Sequence, residues 1–165
     1  MRHAWEIHAK APANALLLIP RFGKNYVVPV IEGVDPDDLA AGVGHFPGTA
    51  GPGEVGNFAL AGHRVTHGEP FRDMPSLRKG DKVIVETRHT TYTYRLDTGG
   101  ADLTVPFTSI WVIAPIPLNP DPNGVGPAID KSHRLLTLTT CSELFHTDNR
   151  LIAFGHLVGK TPTGQ

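Results

Sequence analysis

Arg134-Leu135-Leu136-Thr137-Leu138-Thr139-Thr140 and Leu151-Ile152-Ala153-Phe154-Gly155-His156-Leu157-Val158 are the two stretches on which the reading of the fold turns. Each is a short apolar and β-branched run bounded by polar or turn-forming residues, the pattern of a strand in a buried sheet and not of a helix. Cys141 to Arg150 joins them as a connecting loop, so Cys141 stands at the end of one predicted strand and Arg150 opens the next.

Working outward, Asn57 to Ala61 is a further apolar strand, and Gly62-His63-Arg64 stands where it leaves the sheet. Ala15 to Ile19 and Tyr26 to Ile31 read as two strands with a turn at Gly23 and Lys24. Lys82 to Glu86 and Thr90 to Leu96 alternate as a hairpin, and Ser109 to Ala114 is expected as another strand. Asp35-Pro36-Asp37-Asp38-Leu39-Ala40-Ala41-Gly42 has a capping Asp, a Pro at the first helical position and a closing Gly, which predicts one short helix. Pro70 to Leu77 is expected to hold a helical turn. Five prolines between Pro115 and Ser132 predict a long irregular loop, expected to face the reacting groups as a binding or lid element.

The sum is an all-β domain of about eight strands closed, or nearly closed, into a barrel with one or two short helices and long loops. The length of 165 residues suits a single domain, and 18 Gly with 15 Pro scattered without a repeat fit many turns between short strands. Residues 1–14 read as a flexible leader, 15–159 as the folded domain and 160–165 as a flexible tail.

A formal net charge of -1, with no dense Lys/Arg stripe, leaves no electrostatic footprint for a nucleic-acid backbone. No apolar run reaches the roughly 18 residues needed to span a bilayer as a helix. The single cysteine excludes an intramolecular disulfide and a cysteine-rich zinc site, leaving a buried structural thiol or a reactive one.

A reactive cysteine needs a thiolate, a group that protonates the leaving amine, and donors for the oxyanion. Cys141, His63 and Arg150 supply those three types, two at the ends of predicted strands and one at the start of another. Thr137-Leu138-Thr139-Thr140-Cys141 resembles the Thr-Leu-x-Thr-Cys signature of the sortases, with Arg150 following at a short distance. Gly56 to Arg64 resembles the segment that carries the sortase catalytic histidine. Ile19-Pro20-Arg21, His45-Phe46-Pro47-Gly48-Thr49 and Gly80-Asp81 are similar in order, so the likeness runs from Leu17 to Val158. Within the family, Val34 to Thr49 and the wording around His63 resemble class E enzymes of high-GC Gram-positive bacteria. One departure is that no proline follows soon after the cysteine, the sequence reading Cys141-Ser142-Glu143-Leu144-Phe145.

The resemblance implies an eight-stranded barrel and a cysteine transpeptidase. Cys141 would attack the Thr carbonyl of a C-terminal sorting motif of the LPxTG or LAxTG type, Arg150 would stabilise the oxyanion, and His63 would protonate the departing Gly amine. A cell-wall precursor amine would then take the acyl group. The partners implied are secreted proteins bearing that motif, and the place is outside the cytoplasm at the cell surface, with an N-terminal membrane anchor in the full-length protein. Thr139 and Thr140 are candidate substrate-binding residues, although Thr is also an ordinary strand former.

No cofactor and no metal are expected. His63 and His67 have zinc-helix spacing, but Arg64 stands where that motif needs Glu and the glycines disfavour a helix. Asp35 to Asp38 suggests calcium less than it suggests a helix cap. Two alternatives remain at this level, a pilus-polymerising sortase using a protein lysine as acceptor and a non-catalytic cell-surface barrel that binds peptide or carbohydrate.

Overall fold

A computed structural model of the chain describes residues 13–64, 69–128, 132–141 and 149–163. Nine strands form one sheet: β1 (Ala13–Leu18), β2 (Val28–Glu32), β3 (Val43–His45), β4 (Gly56–His63), β5 (Lys82–Glu86), β6 (Thr90–Leu96), β7 (Leu103–Pro106), β8 (Arg134–Cys141) and β9 (Asn149–Pro162). Their order is β6-β5-β1-β2-β3-β4-β8-β9-β7, and a further β6–β9 pairing closes the first eight into a barrel, leaving β7 as an extra strand. Closure hides the unpaired sheet edges that an open sheet would expose.

β9 makes both junctions because it is long. Its first residues, Asn149 to Ile152, pair with β7, whereas Gly155 to Pro162 pair with β6. At the changeover a Cβ on Gly155 would lie 2.7 Å from the Arg95 carbonyl oxygen, so the absence of a side chain allows the strands to approach there. The β2–β3 and β4–β8 pairs are parallel, and the other pairings are antiparallel.

Alternation divides β4, β8 and β9 into two faces. Phe58, Leu60, Leu136, Leu138 and Ala153 point into the barrel, joining Leu17, Val85, Tyr94 and Leu96 in the main core. The opposite face carries two smaller clusters. Ala61 packs with Leu39, Val34 and Phe46, whereas Ile152 and Phe154 pack with Val105, Val112 and Trp111. Apolar side chains on both faces explain why these strands read as near-continuous hydrophobic runs.

The one α-helix among the described residues, α1 (Pro36–Ala41), begins as its sequence predicts, with Pro36 in the first turn and the Asp35 N–H donating to the Asp38 carboxylate at 3.2 Å. Pro70 to Leu77 contains a short 3₁₀ turn at Met74–Ser76. Three expectations need correction. Ser109 to Ala114 forms no strand, because Ile110–Ile113 is a 3₁₀ helix whose Val112 and Trp111 cover the outside of β9. β3 and β7 are three and four residues long, too short for alternation to reveal them. β1 begins at Ala13 and β9 runs to Pro162, so pairing reaches two residues earlier and three residues later than the expected limits of the domain. The rest of the leader lies outside the described residues. Among those residues no helix is long and apolar enough to cross a membrane.

Candidate active site

The parallel β4–β8 ladder runs unbroken from Gly56↔Arg134 to His63↔Cys141. His63 and Cys141, 78 residues apart in sequence, are therefore neighbours across two adjacent strands, which lie roughly 4.8 Å apart in any sheet. On the other side of β8, the antiparallel ladder with β9 reaches Thr139↔Ile152, and two steps further along each strand stand Cys141 and Arg150. Position 141 thus lies between the strand that ends in His63 and the strand that starts near Arg150.

Arg150 is held close to that position. Its guanidinium Nη1 donates to the Thr140 carbonyl at 3.0 Å, one residue before the cysteine. The Leu151 N–H donates to the Thr140 hydroxyl at 3.0 Å, so Thr140 ties β8 to β9 through both its main chain and its side chain. Thr140 is buried, and its hydroxyl serves the strand junction. Thr139, on the alternate face, lines a cavity instead.

His63 is the last residue of β4 and is buried. Two contacts set the path of the chain around it. The Phe71 N–H donates to the His63 carbonyl at 2.9 Å, and the Tyr26 hydroxyl donates to the Pro70 carbonyl at 2.5 Å. Phe71 is fully buried beneath Gly62, where a Cβ would stand 2.7 Å from a ring carbon. Glycine before the histidine is therefore a packing requirement. Burial, and secondarily the charge of Asp73, push the Tyr26 phenol well above its ordinary pKa, so it remains a donor at neutral pH.

A groove of about 190 Å³ opens beside Arg150. Ala61, Thr139 and Ile152 form its floor, one wall is built from Val34, Leu39 and Phe46, and the other from Val105, Ile110, Val112 and Ile113. It occupies the space between the two outer clusters, and the small Ala61 side chain leaves the floor low. Phe107 and Ile110, 54% and 75% exposed, line it too and present apolar surface to solvent. The arrangement offers an apolar slot lined by one cation, Arg150, and floored by Ala61 and Thr139, each two residues before His63 and Cys141 on its strand.

The expected loop does not supply this slot. Among the described residues, none from 115 to 128 lines the groove, and the segment is folded back on itself and the barrel through Asn119 Nδ2 to the Val125 carbonyl and the Ala128 N–H to Asp97. Residues 105–113 line it instead. Most of the Cys141 to Arg150 connection, together with His67 and His146, lies outside the described residues. His45 and His156 are bound elsewhere, to Glu32 and Asp97 respectively. The groove escaped sequence reading because its lining comes from five separated segments, 34–46, 61, 105–113, 139 and 150–152; the aromatic Phe107 beside an apolar run was the one local signal.

The sortase domain family model matches residues 17–158. Sortase SrtE1 of Streptomyces coelicolor is 37% identical over 90% of this chain, and the chain spans about two fifths of the length of the curated relatives it matches. The structure of sortase E from Streptomyces avermitilis superposes with a TM-score of 0.80 at 39% identity, covering 93% of each chain. That of sortase E1 from Streptomyces coelicolor, with a tripeptide in the active site, gives 0.73 at 35% identity over 94% of this chain and 96% of the other. With its closed barrel and its ordered His, Thr-Thr-Cys and Arg segments, the chain belongs to the sortase family and is class E-like within it.

Proposed function

We propose that this domain is a cysteine transpeptidase that cuts a C-terminal sorting motif between Thr and Gly and passes the acyl group to a cell-wall precursor amine. The observation that carries the proposal is the register that pairs His63 with Cys141, with the Arg150 guanidinium bound one residue away. In this reading the Cys141 thiolate attacks the Thr carbonyl carbon and the carbonyl electrons move onto oxygen. Arg150 spends one of its five N–H donors on the Thr140 carbonyl, which fixes the plane from which the others meet that oxyanion. Collapse expels the Gly nitrogen, which takes a proton from the His63 imidazolium and leaves a thioester. An incoming amine attacks the thioester, His63 accepts its proton and the thiolate is regenerated.

The groove supports a motif with an apolar residue upstream of the scissile bond, since its floor and walls are mostly aliphatic and aromatic, with Thr139 and Arg150 among the few polar residues that line it. We assign Thr139 to substrate contact, and give Thr140 the task of holding β8 and β9 in register beside the nucleophile. A peptide ligand also suits the Streptomyces coelicolor sortase E1 structure, which contains a tripeptide. The substrates are secreted proteins bearing an LPxTG- or LAxTG-like motif, met at the cell surface by an enzyme anchored through an N-terminal segment.

Incubating the protein with a motif-peptide library and following products by mass spectrometry tests the proposal. Wild type should release the Gly-containing fragment and show an acyl adduct on Cys141, while Cys141→Ala should show neither. Turnover and an adduct in Cys141→Ala would refute it. Competition between a glycine- or diaminopimelate-type amine and a pilin-domain lysine identifies the acceptor.

A further inference from the structure

The wall formed by the 3₁₀ helix Ile110–Ile113 packs on β9 through Val112 and Trp111 and is hydrogen-bonded to β4 through a buried amide side chain. Asn57 stands on β4 six residues before His63 and is 1% exposed. Its Nδ2 donates to the Val112 carbonyl at 3.0 Å and to the Ala114 carbonyl at 2.9 Å, while its Oδ1 accepts from the Thr137 hydroxyl at 2.9 Å. The orientation of the amide is dictated by these partners, since two carbonyl oxygens can only accept and must face the NH₂ group. A buried amide inside an apolar strand costs stability unless every polar atom is matched, and here both amide hydrogens and the oxygen are matched. Nonpolar residues of similar size would fill the space without that requirement, so the amide serves to hold two specific carbonyls.

Those carbonyls belong to the end of the helix whose Ile110, Val112 and Ile113 face the groove. Ile113 also borders a second cavity, of about 250 Å³, which Asn57 itself lines, so the helix end is the partition between the two. We infer that Asn57, oriented by Thr137, is a positioning residue that sets the groove wall at the width the substrate's apolar residue requires. This rests on the proposed transpeptidase reading. Asn57 touches neither the reacting atoms nor, on this account, the peptide, and acts through Val112 and Ile113.

The test compares Asn57→Asp, Thr137→Val and Thr137→Ser, using a sorting-motif peptide and a Trp5→Phe background in which Trp111, on the same 3₁₀ helix, is the sole tryptophan. Asn57→Asp keeps the shape and the acceptor for Thr137 but turns an acceptor toward two carbonyl oxygens. It should raise KM by about 10-fold or more with kcat changed less than about 3-fold, and shift Trp111 emission to the red. Thr137→Val should raise KM about 3-fold, and Thr137→Ser, which keeps the hydroxyl, should restore it. A residue needed only for folding would lower the active fraction and hence kcat at constant KM, and that result would overturn the inference. So would an unchanged KM with unchanged Trp111 emission in folded Asn57→Asp. If wild type turns over no motif peptide, the transpeptidase reading fails, and the wall-holding claim then stands on the Trp111 shift or falls with its absence.

Discussion

Replacing Gly62 by alanine adds one methyl group at the position before His63, and the structure says what it meets. The new Cβ would lie 2.7 Å from one carbon of the Phe71 ring and 3.0 Å from two others. Those distances are well inside the roughly 3.5–4.0 Å of a relaxed carbon contact. Phe71 cannot simply turn away, because it is fully buried among Met74, Leu77 and the main core. Overpacking of this kind costs about 1–3 kcal/mol. For a domain of this length that corresponds to a fall in Tm of roughly 2–4 °C per kcal/mol, readable by calorimetry. The decisive version is a double-mutant cycle with Phe71→Leu, which removes part of the ring and opens room for the methyl group. The doubly substituted protein should be more stable than the sum of the single costs predicts, by about 1 kcal/mol or more. Additivity within about 0.5 kcal/mol would refute the claim that this contact is what requires glycine.

Two further outcomes follow from groups around the site. Arg150→Ala should slow single-turnover acylation of Cys141 by about 100- to 1000-fold, the cost of an oxyanion donor, and Arg150→Lys should recover little because an ammonium lacks the planar fork; rapid-quench mass spectrometry measures both. Tyr26→Phe loses the hydrogen bond to the Pro70 carbonyl and should cost about 1 kcal/mol in urea denaturation at pH 8. The Tyr26 phenol has a folded pKa raised above its ordinary 10.0, chiefly by burial, so the stability it contributes is complete below pH 10 and lost as pH rises toward the folded value. The gap between wild type and Tyr26→Phe should therefore narrow above pH 10, by up to about 1.4 kcal/mol per pH unit. A gap independent of pH would mean that the phenol is not buried.

The site gains its geometry from an uncommon feature of this sheet. Most pairings here are antiparallel, but β4 and β8 run parallel and both end at the same rim of the barrel. Parallel neighbours bring two strand C-termini side by side, so residues at the two ends, His63 and Cys141, come together without a special turn. The antiparallel β9 starts at that rim and runs away from it, which is why its first residues, Asn149 and Arg150, stand beside the last residues of β8. Thr140 links these strands through its carbonyl and hydroxyl, and Asn57 links β4 and β8 to the wall over them. Two buried polar residues thus hold the register and the groove, while the apolar clusters supply most of the driving force for burial.

By itself the sequence indicated the class of fold, most of the strands and the helix α1, and its resemblance to the sortases pointed to the three residues of the proposed chemistry. Local physics suffices for the elements: alternation and β-branching mark β5, β6, β8 and β9, and Asp35-Pro36 starts α1, whereas His63 and Cys141 stood out only through the motifs that resemble the family's. Tertiary structure decided everything that depends on partners distant along the chain. The parallel pairing of β4 with β8 set His63 beside Cys141, and the same ladder brought Thr137 to Asn57 across 80 residues. Covering the outer face of β9 made Ile110–Ile113 a 3₁₀ helix despite its strand-like composition, because packing against Val105, Ile152 and Phe154 outweighs the weak intrinsic preference of a four-residue segment. The groove came from that cover and from Phe46 and Leu39 on the other side, and no local pattern encodes a space bounded by segments that meet only when the barrel closes.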